Sequence, residues 1–301
     1  MKIVIAGSTG VIGRQLVPLL SAVGHEVIGL NRRDGVDLLD AAAVRRFVSR
    51  AAPDAVVHLA TAVPADINPR KMTGQFALTN RLRTEGTRNL VDAARAAGVK
   101  RIVVQSLAYL YRPADGPADE DAAIWTDPPR QFRSSIAALA ELERLTAAAG
   151  GLVLRFGHLY GPGTHYGANG SITAAVRAGR MPRVGQGAAV YSFTHTHDAA
   201  TAIVSALDRR ATGVLNVVDD HPAPVTEWLP GLARMLGAPE PRRVPVALAR
   251  LAVGGWGVAF TNRLRGADNA RARLELNWRP RYASWREGFA AELADDPIAV
   301  T

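Results

Sequence analysis

A glycine-rich turn near the start of the chain joins an apolar strand to an amphipathic helix. It reads Gly7-Ser-Thr-Gly10-Val-Ile-Gly13 and directly follows the apolar run at residues 2–6. Glycine permits the tight turn and lets the backbone approach a pyrophosphate, whose charge then lies at the helix N-terminus. At this place in the chain the pattern predicts a dinucleotide-binding fold, and a glycine-rich turn that binds nothing is the weaker alternative.

Strand and helix patterns then alternate as far as residue 160. Strands are predicted at residues 2–6, 26–30, 54–60, 100–105 and 152–156, and helices at residues 11–23, 41–51, 71–97 and 132–148. This alternation is typical of right-handed βαβ units. We therefore predict an α/β protein with a Rossmann-type, doubly wound parallel sheet that helices cover on both faces.

Beyond residue 160 the segments become shorter and richer in glycine. Two further helices are predicted near residues 197–208 and 226–236, with a strand at residues 214–218 between them. We expect a cofactor-binding Rossmann domain over residues 1–160 and a smaller, mixed, mainly substrate-binding part over residues 161–301. Chain segments are expected to cross between the two, with a cleft at their interface.

The composition excludes several classes of site. Cysteine is absent from the 301 residues, which removes disulfides, thiolate metal ligands and cysteine nucleophiles and favours an intracellular, cytoplasmic location. No uncharged apolar run is long enough to span a membrane. The histidines lack metal-site spacing, so no metal is expected. The acidic pairs Glu120-Asp121 and Asp295-Asp296 are interpreted as solvated.

The chain is basic, with a formal net charge of +9 at pH 7. Clustered cations would favour a nucleic-acid partner, because they release counterions from phosphates. The arginines are instead spread along the whole chain and form no long basic run, so no nucleic-acid partner is expected. The excess charge also suits an anionic small molecule.

The segment after the second predicted strand indicates which dinucleotide binds. Proteins that bind NAD place an acidic residue at this strand end, where it contacts the ribose hydroxyls. Here Asn31 takes that position, and Arg32 and Arg33 follow it. Two guanidinium groups suit a 2′-phosphate. The segment therefore predicts NADP (NADPH) as the cofactor, with a solvated basic loop as the alternative.

Further motifs extend along most of the chain. In order they are Asp37-Leu38, His58-Leu-Ala60-Thr61, Gly86-Thr-Arg-Asn-Leu-Val-Asp-Ala-Ala94, Gly98-Val-Lys-Arg-Ile-Val-Val104, Leu154-Arg155, Tyr160-Gly-Pro-Gly163, His195-Thr-His-Asp198, Asn216-Val-Val-Asp219 and Trp228-Leu229. Together with the glycine turn they resemble the extended short-chain dehydrogenase/reductases, also called the NAD-dependent epimerase/dehydratase family. The resemblance implies a Rossmann domain, a small substrate domain and a nicotinamide cofactor.

The resemblance and the glycine turn together assign a set of residues to the cofactor. They are Gly7, Ser8, Thr9, Gly10, Val11, Ile12, Gly13, Asn31, Arg32, Arg33, Asp37, Leu38, Leu59, Ala60, Thr61, Gln105, Phe156 and His158. Asp37 and Leu38 resemble the pair that contacts adenine in this family.

The resemblance also implies a catalytic Tyr-x-x-x-Lys pair and a Ser or Thr, and here the sequence departs from the family. The lysine lowers the pKa of the tyrosine, so that the phenol can exchange a proton with the substrate oxygen. Aligned on the motifs, the three positions hold Phe132, Ile136 and Leu107, and no lysine follows Lys100. The three proton-handling groups are therefore expected to be missing, and no residue is a certain catalytic one.

Polar and aromatic residues near the expected cleft are the candidates for chemistry. The catalytic candidates are Ser106 and Tyr109, and the candidates for contact with the substrate are Ser106, Tyr109, His158 and Tyr166. The alternatives are that Ser106 binds only the backbone and that His158 does not touch the substrate. Loops at residues 107–131 and 164–190 are expected to line a pocket for a flat, largely apolar molecule.

These features favour an NADPH-dependent ketoreductase of the triad-lacking branch, acting on a small aromatic or polyketide-like carbonyl compound. A phenol or enol beside the ketone would assist proton transfer, because an internally hydrogen-bonded carbonyl is already polarised. The alternatives are a sugar-nucleotide epimerase or dehydratase, which the missing base disfavours, and a non-catalytic NADP-binding sensor. The expected partners are a small-molecule substrate and no membrane. The resemblance also implies a homodimer through the predicted helices at 71–97 and 132–148, and the alternative is that their alanine-rich faces pack against the sheet.

Overall fold

The computed structural model describes residues 1–294, so Asp295-Asp296 and the end of the predicted part at 161–301 lie outside the described residues. The first half of the chain forms β1 (Lys2–Ala6), α1 (Gly13–Ala22), β2 (Glu26–Leu30), a 3₁₀ turn (Arg32–Asp34), α2 (Ala41–Ala51), β3 (Ala55–His58), α3 (Met72–Gln75), α4 (Ala77–Arg81), a π-helical turn (Leu82–Gly86), α5 (Thr87–Ala96), β4 (Arg101–Leu107), α6 (Arg130–Ala148) and β5 (Leu152–Phe156).

The second half consists of shorter elements. They are β6 (His158–Tyr160), α7 (Ser171–Arg177), β7 (Arg183–Val184), β8 (Val190–Tyr191), β9 (Phe193–His195), α8 (Thr196–Asp208), β10 (Gly213–Val217), β11 (Ala223–Pro224), α9 (Val225–Met235), β12 (Arg243–Val244), α10 (Val246–Asn262), α11 (Ala270–Glu275) and α12 (Trp285–Ala294). No helix within residues 1–294 combines the length and the apolar character that crossing a membrane requires.

A six-stranded parallel sheet forms the centre of the molecule, in the strand order β10-β5-β4-β3-β1-β2. On β1, next to the edge strand β2, Ile5 pairs with Gly29 on one side and with Val57 on the other. The strands are short apolar runs, as expected where helices bury both faces. The chain order reverses between β1 and β3, and ligands of such sheets bind at that point, beyond the carboxyl ends of the strands. The predicted Rossmann-type sheet is confirmed.

Helices pack on both faces of the sheet. On one face, α1 and α8 bury apolar residues such as Leu16 and Ile203. On the other face, α2 and α5 bury Val44 and Leu90. The repeat of apolar residues at helical spacing in each helix supplies these buried stripes.

A segment from beyond the domain boundary predicted at residue 160 returns to the Rossmann sheet. β10 pairs with β5, with Leu215 beside Leu154, and α8 packs against α1. The Rossmann sheet therefore takes one strand and one helix from residues 196–217, and the unit predicted at 1–160 is incomplete without them. The sequence analysis expected segments to cross between the two parts but did not identify which ones, because a single strand and helix carry no mark of the sheet that they join.

The helix predicted at residues 71–97 is broken into α3, α4, the π-helical turn and α5. The π-helical turn places Arg83 among the buried residues. α5 ends before Gly98, whose φ of 70° lies in the left-handed region that glycine favours, as the sequence predicted.

An aromatic core fills the smaller part. It includes Tyr191, Phe193, Trp228 and Trp285, all buried. In α10 the chain bends at Gly254, where φ is 69°. The half of α10 that follows this bend carries aromatic side chains that face the cleft, among them Trp256 and Phe260.

Candidate active site

A cleft of about 1560 Å³ opens at the carboxyl ends of the strands, between the sheet, α7 and α10. Pockets for one small ligand have volumes of roughly 300–1,000 Å³. The cleft is therefore large enough for a dinucleotide and a second molecule side by side.

The glycine turn lies at one end of this cleft. A Cβ on Gly7, whose φ is +92°, would lie 2.7 Å from the backbone nitrogen of Ala60, and a Cβ on Gly13 would lie 2.4 Å from the carbonyl oxygen of Gly7. Close packing of the backbone thus requires both glycines. Gly10 differs, because a Cβ there would meet only the Gly7 carbonyl oxygen, at 3.3 Å, and Gly10 lines the cleft. Its open side leaves room for a close-lying ligand.

The N-terminus of α1 adds an electrostatic reason for an anion at this place. The helix begins at Gly13 with no side-chain cap and no acidic residue in its first turn. Uncapped N–H groups and the positive end of the helix dipole favour a bound phosphate. The residues present at the turn therefore fit the pyrophosphate of a dinucleotide.

Most residues that the sequence assigned to the cofactor line this cleft. They are Gly7, Thr9, Gly10, Val11, Ile12, Gly13, Asn31, Arg32, Arg33, Asp37, Leu38, Leu59, Ala60, Thr61, Gln105 and His158. Two others do not line it. The Phe156 side chain is fully buried in the core shared with α1 and α8, and the Ser8 hydroxyl lies against Gly29 on β2. We therefore remove Phe156 and the Ser8 side chain from the predicted set.

Arg32 and Arg33 follow β2 and both are exposed at the edge of the cleft. Among the side chains that the structure describes, neither guanidinium is paired with a carboxylate. Both are therefore available to a phosphate, in the place where the sequence predicted the 2′-phosphate of NADP.

The three positions where the catalytic triad is predicted to be missing also have apolar surroundings. Phe132 lies on α6 and stacks on Trp256 of α10, with ring centroids 3.8 Å apart. Leu107 lines the cleft at the end of β4, and Ile136 is buried one helical turn beyond Phe132. This side of the cleft holds no group at these positions that can give or take a proton.

Ser106, a predicted catalytic and substrate residue, does not reach the cleft. Its neighbours Gln105 and Leu107 line the cleft, and side chains alternate across a strand, so Ser106 points to the opposite face of the sheet. Its hydroxyl donates a hydrogen bond of 2.6 Å to a carboxylate oxygen of Glu143 and is buried. The assignment of Ser106 is therefore corrected to a structural one.

A buried polar network continues from this point. Glu143 binds Arg155 through both carboxylate oxygens, and Arg155 donates to the hydroxyl of Tyr111 at 2.7 Å. Tyr111 in turn donates to the side chain of Asn216 at 2.6 Å, whose backbone N–H donates to Glu120. Burial raises the pKa of Glu120, so the prediction of a solvated acid is wrong there.

The other predicted substrate residues lie together in an aromatic wall. The ring of His158 stacks between Tyr109, at 4.4 Å, and Tyr191, at 4.0 Å, with Tyr166 edge-on at 6.0 Å. Tyr109, His158 and Tyr166 all line the cleft. A flat ring can stack against such a wall.

Burial sets the protonation states in this wall. It lowers the pKa of His158 to about 3, so the imidazole is neutral near pH 7, and Nε2 has no hydrogen-bond partner within residues 1–294. Burial also raises the pKa of Tyr109. Neither group is therefore tuned to exchange a proton near neutral pH.

Arg83, which the sequence analysis did not single out, also lines the cleft and is only 6% exposed. Burial lowers the pKa of its guanidinium to about 10, so it stays charged at neutral pH. A signal existed in the sequence, because Arg83 falls on the apolar face of the predicted helix, in register with Thr79 and Leu90. An arginine at such a position is unusual enough to indicate a special role.

Within residues 1–294, no three histidine or acidic side chains cluster as a metal site.

The comparisons with known proteins agree with the cleft described above. A model of the NAD dependent epimerase/dehydratase family matches residues 3–218. The chain belongs to this family.

Three similar proteins illustrate the relationship. A 3-diazoavenalumate denitrifying reductase from Streptomyces sp. is 47% identical, covering 97% of this chain and 100% of that protein. A ceramide reductase from Caulobacter vibrioides (strain NA1000 / CB15N) is 28% identical over 96% and 89% of the two chains. The crystal structure of a human epimerase family protein with NADPH is similar in fold, with a TM-score of 0.78 and 23% identity over 98% and 100%. The protein is a nicotinamide-dependent oxidoreductase of this family.

Proposed function

We propose that the protein is an NADPH-dependent reductase that delivers hydride to a small aromatic substrate without a proton donor at the triad positions. The observation that carries the proposal is the apolar surface formed by Phe132 and Leu107, with Ile136 behind it, beside the aromatic wall of Tyr109, His158 and Tyr191. Proximity and orientation supply much of the rate in hydride transfer, so a cleft that holds two rings together is sufficient for the step.

The hydride acceptor that best suits this cleft is an arenediazonium ion. Reduction of a carbonyl makes an alkoxide that needs a proton, whereas loss of dinitrogen leaves no charge to neutralise. When bound, the reduced nicotinamide supplies a hydride that replaces dinitrogen on the ring carbon, so that NADPH and the arenediazonium ion become NADP⁺, the arene and dinitrogen. The name of the 47% identical relative, a denitrifying reductase of a diazo compound, supports this choice.

A second candidate is the reduction of an aromatic ketone with a neighbouring hydroxyl group, as the sequence analysis favoured. The hydroxyl of Tyr109 supports it, because a phenol with a raised pKa stays protonated and can donate a hydrogen bond to a carbonyl oxygen. Sugar-nucleotide epimerisation and dehydration fit less well, because no residue at positions 107, 132 or 136 can serve as the base.

The test is consumption of NADPH with three substrates. They are 2-hydroxybenzenediazonium, 2-hydroxyacetophenone and 2-methoxyacetophenone, each compared with a reaction that lacks the enzyme. We expect turnover of the diazonium compound with release of one dinitrogen per NADPH. Turnover of the hydroxy ketone alone would favour the second candidate, and turnover of none of the three, with NADPH bound, would favour the non-catalytic sensor.

A further inference from the structure

Arg83 is a buried cation whose position is set by an irregular piece of backbone. It lies on the π-helical turn Leu82–Gly86, which packs against α6. From there it lines the cleft together with Thr61, Gln105 and Leu107, at the carboxyl ends of β3 and β4. Leu107 is one of the apolar triad positions, so Arg83 lies beside them, and Ala60, Thr61 and Gln105 of the predicted cofactor set lie on the same side of the cleft.

The guanidinium lacks the partner that a buried charge requires. Within residues 1–294, its one hydrogen bond runs from Nη1 to the side-chain oxygen of Asn80, at 3.3 Å, and no carboxylate pairs with it. A buried charge is retained only where an opposite charge and hydrogen bonds compensate the loss of water. The neutral amide of Asn80 supplies only part of that compensation.

Tyr109 lines the cleft as Arg83 does. The positive charge of Arg83 favours the ionised form of this phenol and opposes the effect of burial on its pKa, so the two groups lie within electrostatic reach of each other. The Tyr109 ring is held by its stacking on His158. Two donors, one charged and one neutral, thus line the cleft that holds the aromatic wall.

We propose that Arg83 and Tyr109 form an oxyanion site that binds a negatively charged oxygen of the aromatic substrate. The proposal rests on the proposed function in taking the substrate to be aromatic. The oxygen is a phenolate or a carboxylate, both of which accept charge-assisted hydrogen bonds from a guanidinium. An oxygen anion also offsets the charge of a diazonium group, which would otherwise be repelled by Arg83.

The test uses equilibrium binding of nitrocinnamate probes to the protein saturated with NADP⁺. The methyl ester of 4-hydroxy-3-nitrocinnamate carries only the phenolate, 4-methoxy-3-nitrocinnamate carries only the carboxylate, and the doubly methylated compound carries neither. Absorbance of the nitrophenol reports its ionisation directly. Arg83→Met removes the charge, Arg83→Lys retains it, and Arg180→Met removes an exposed cation that also lines the cleft.

We expect one of the two anionic probes to bind roughly tenfold to a hundredfold more tightly than the doubly methylated compound. That preference should disappear in Arg83→Met, return in part in Arg83→Lys and persist in Arg180→Met. The probe that shows it identifies the oxygen as phenolate or carboxylate. NADPH affinity should stay unchanged in Arg83→Met, which also shows that the variant is folded.

Equal affinity for all three probes, or an anion preference that survives Arg83→Met, would overturn the proposal. An equal loss of NADPH and probe affinity in Arg83→Met and Arg83→Lys would also overturn it, because Arg83 would then hold the cofactor or the fold. An Arg83-dependent preference in a protein that reduces none of the candidate substrates would leave the oxyanion site standing and reject the proposed function.

Discussion

Arg32 and Arg33 are the residues on which the choice of cofactor depends. Both are exposed beside the cleft, at the strand end where an acidic residue would serve NAD. We expect NADPH to bind more tightly than NADH by roughly tenfold or more, since each charge-assisted hydrogen bond contributes about 1.5–3 kcal/mol. Isothermal titration calorimetry measures both affinities.

The matched variants make this prediction specific. Changing both Arg32 and Arg33 to Asp should reverse the order of the two affinities. Changing Arg45 and Arg46 to Asp, an exposed pair on α2 away from the cleft, should leave the order as it is. Equal affinities for NADPH and NADH in the unmodified protein would rule out the assignment.

His58 is the residue that should make stability depend on pH. It is buried at the end of β3, its Nε2 lies 3.2 Å from the carbonyl oxygen of Leu82, and burial lowers its pKa from 6.5 to about 4. The folded protein then binds the proton more weakly than the unfolded chain does. The contribution of neutral His58 to the free energy of unfolding is therefore complete above pH 6.5. It is lost as the pH falls towards 4, by on the order of 3 kcal/mol in all.

Urea unfolding at about pH 7.5 and pH 4.5 measures this loss. The His58→Asn variant should start from a lower stability and lose less of it between the two pH values. His158, whose pKa is lowered to about 3, contributes in the same direction and remains in both proteins. An identical loss in the variant and the unmodified protein would assign the pH dependence to other groups.

At the scale of elements, the sequence predicted the strands well and the helix at 71–97 poorly. Short apolar runs bounded by glycine or acidic residues indicate buried strands. The turn Leu82–Gly86 contains no proline and a π-helical turn differs from an α-helix only in its hydrogen bonds, so the sequence gives no sign of the break. Ser106 was misplaced for a related reason, because β4 extends to Leu107 and a strand of that length turns residue 106 away from the cleft.

Substitutions in the glycine turn can separate an effect on folding from an effect on cofactor binding. A Cβ at position 13 would collide with backbone at 2.4 Å, whereas a Cβ at position 10 meets one oxygen at 3.3 Å. We expect Gly13→Ala to lower the melting temperature strongly and Gly10→Ala to leave it nearly unchanged while weakening NADPH binding. Thermal unfolding and NADPH fluorescence measure the two effects. A Gly10→Ala variant with normal affinity would contradict a pyrophosphate at this turn.

At the scale of the whole molecule, the returning segment and the buried network join the two parts. The network connects α6 to β5 and β10 through the pair Glu143–Arg155, whose side chains are 9% and 4% exposed. The sequence could not reveal it, because its members are far apart along the chain and become neighbours only through the sheet order. We therefore expect the molecule to unfold in one transition, not two.

Removal of one partner of the buried pair Glu143–Arg155 should lower the free energy of unfolding substantially. Arg155→Met leaves the charge of Glu143 uncompensated, and we expect a loss of about 3–5 kcal/mol in the free energy of unfolding. Arg144→Met breaks the exposed pair with Glu141, which water and salt screen, and should leave the free energy of unfolding nearly unchanged. Chemical denaturation followed by near- and far-ultraviolet circular dichroism compares them. Equal small losses would mean that the network does not hold the parts together.

The predicted homodimer stays a prediction. The helices that would form its interface, α5 and α6, are already linked at the surface by the ion pair Arg88–Glu141 at 2.8 Å. Sedimentation equilibrium gives the mass in solution, where twice the mass of the 32.0 kDa chain is expected.

The central claim is that hydride reaches the substrate with no proton supplied by the protein. It is tested most directly by the origin of the new ring hydrogen in the product from 2-hydroxybenzenediazonium. With NADPH deuterated at the transferred position, mass spectrometry of a reaction in ordinary water should find one deuterium on the ring carbon that lost dinitrogen. With ordinary NADPH in deuterium oxide it should find none there. Deuterium from the solvent at that carbon would contradict the account.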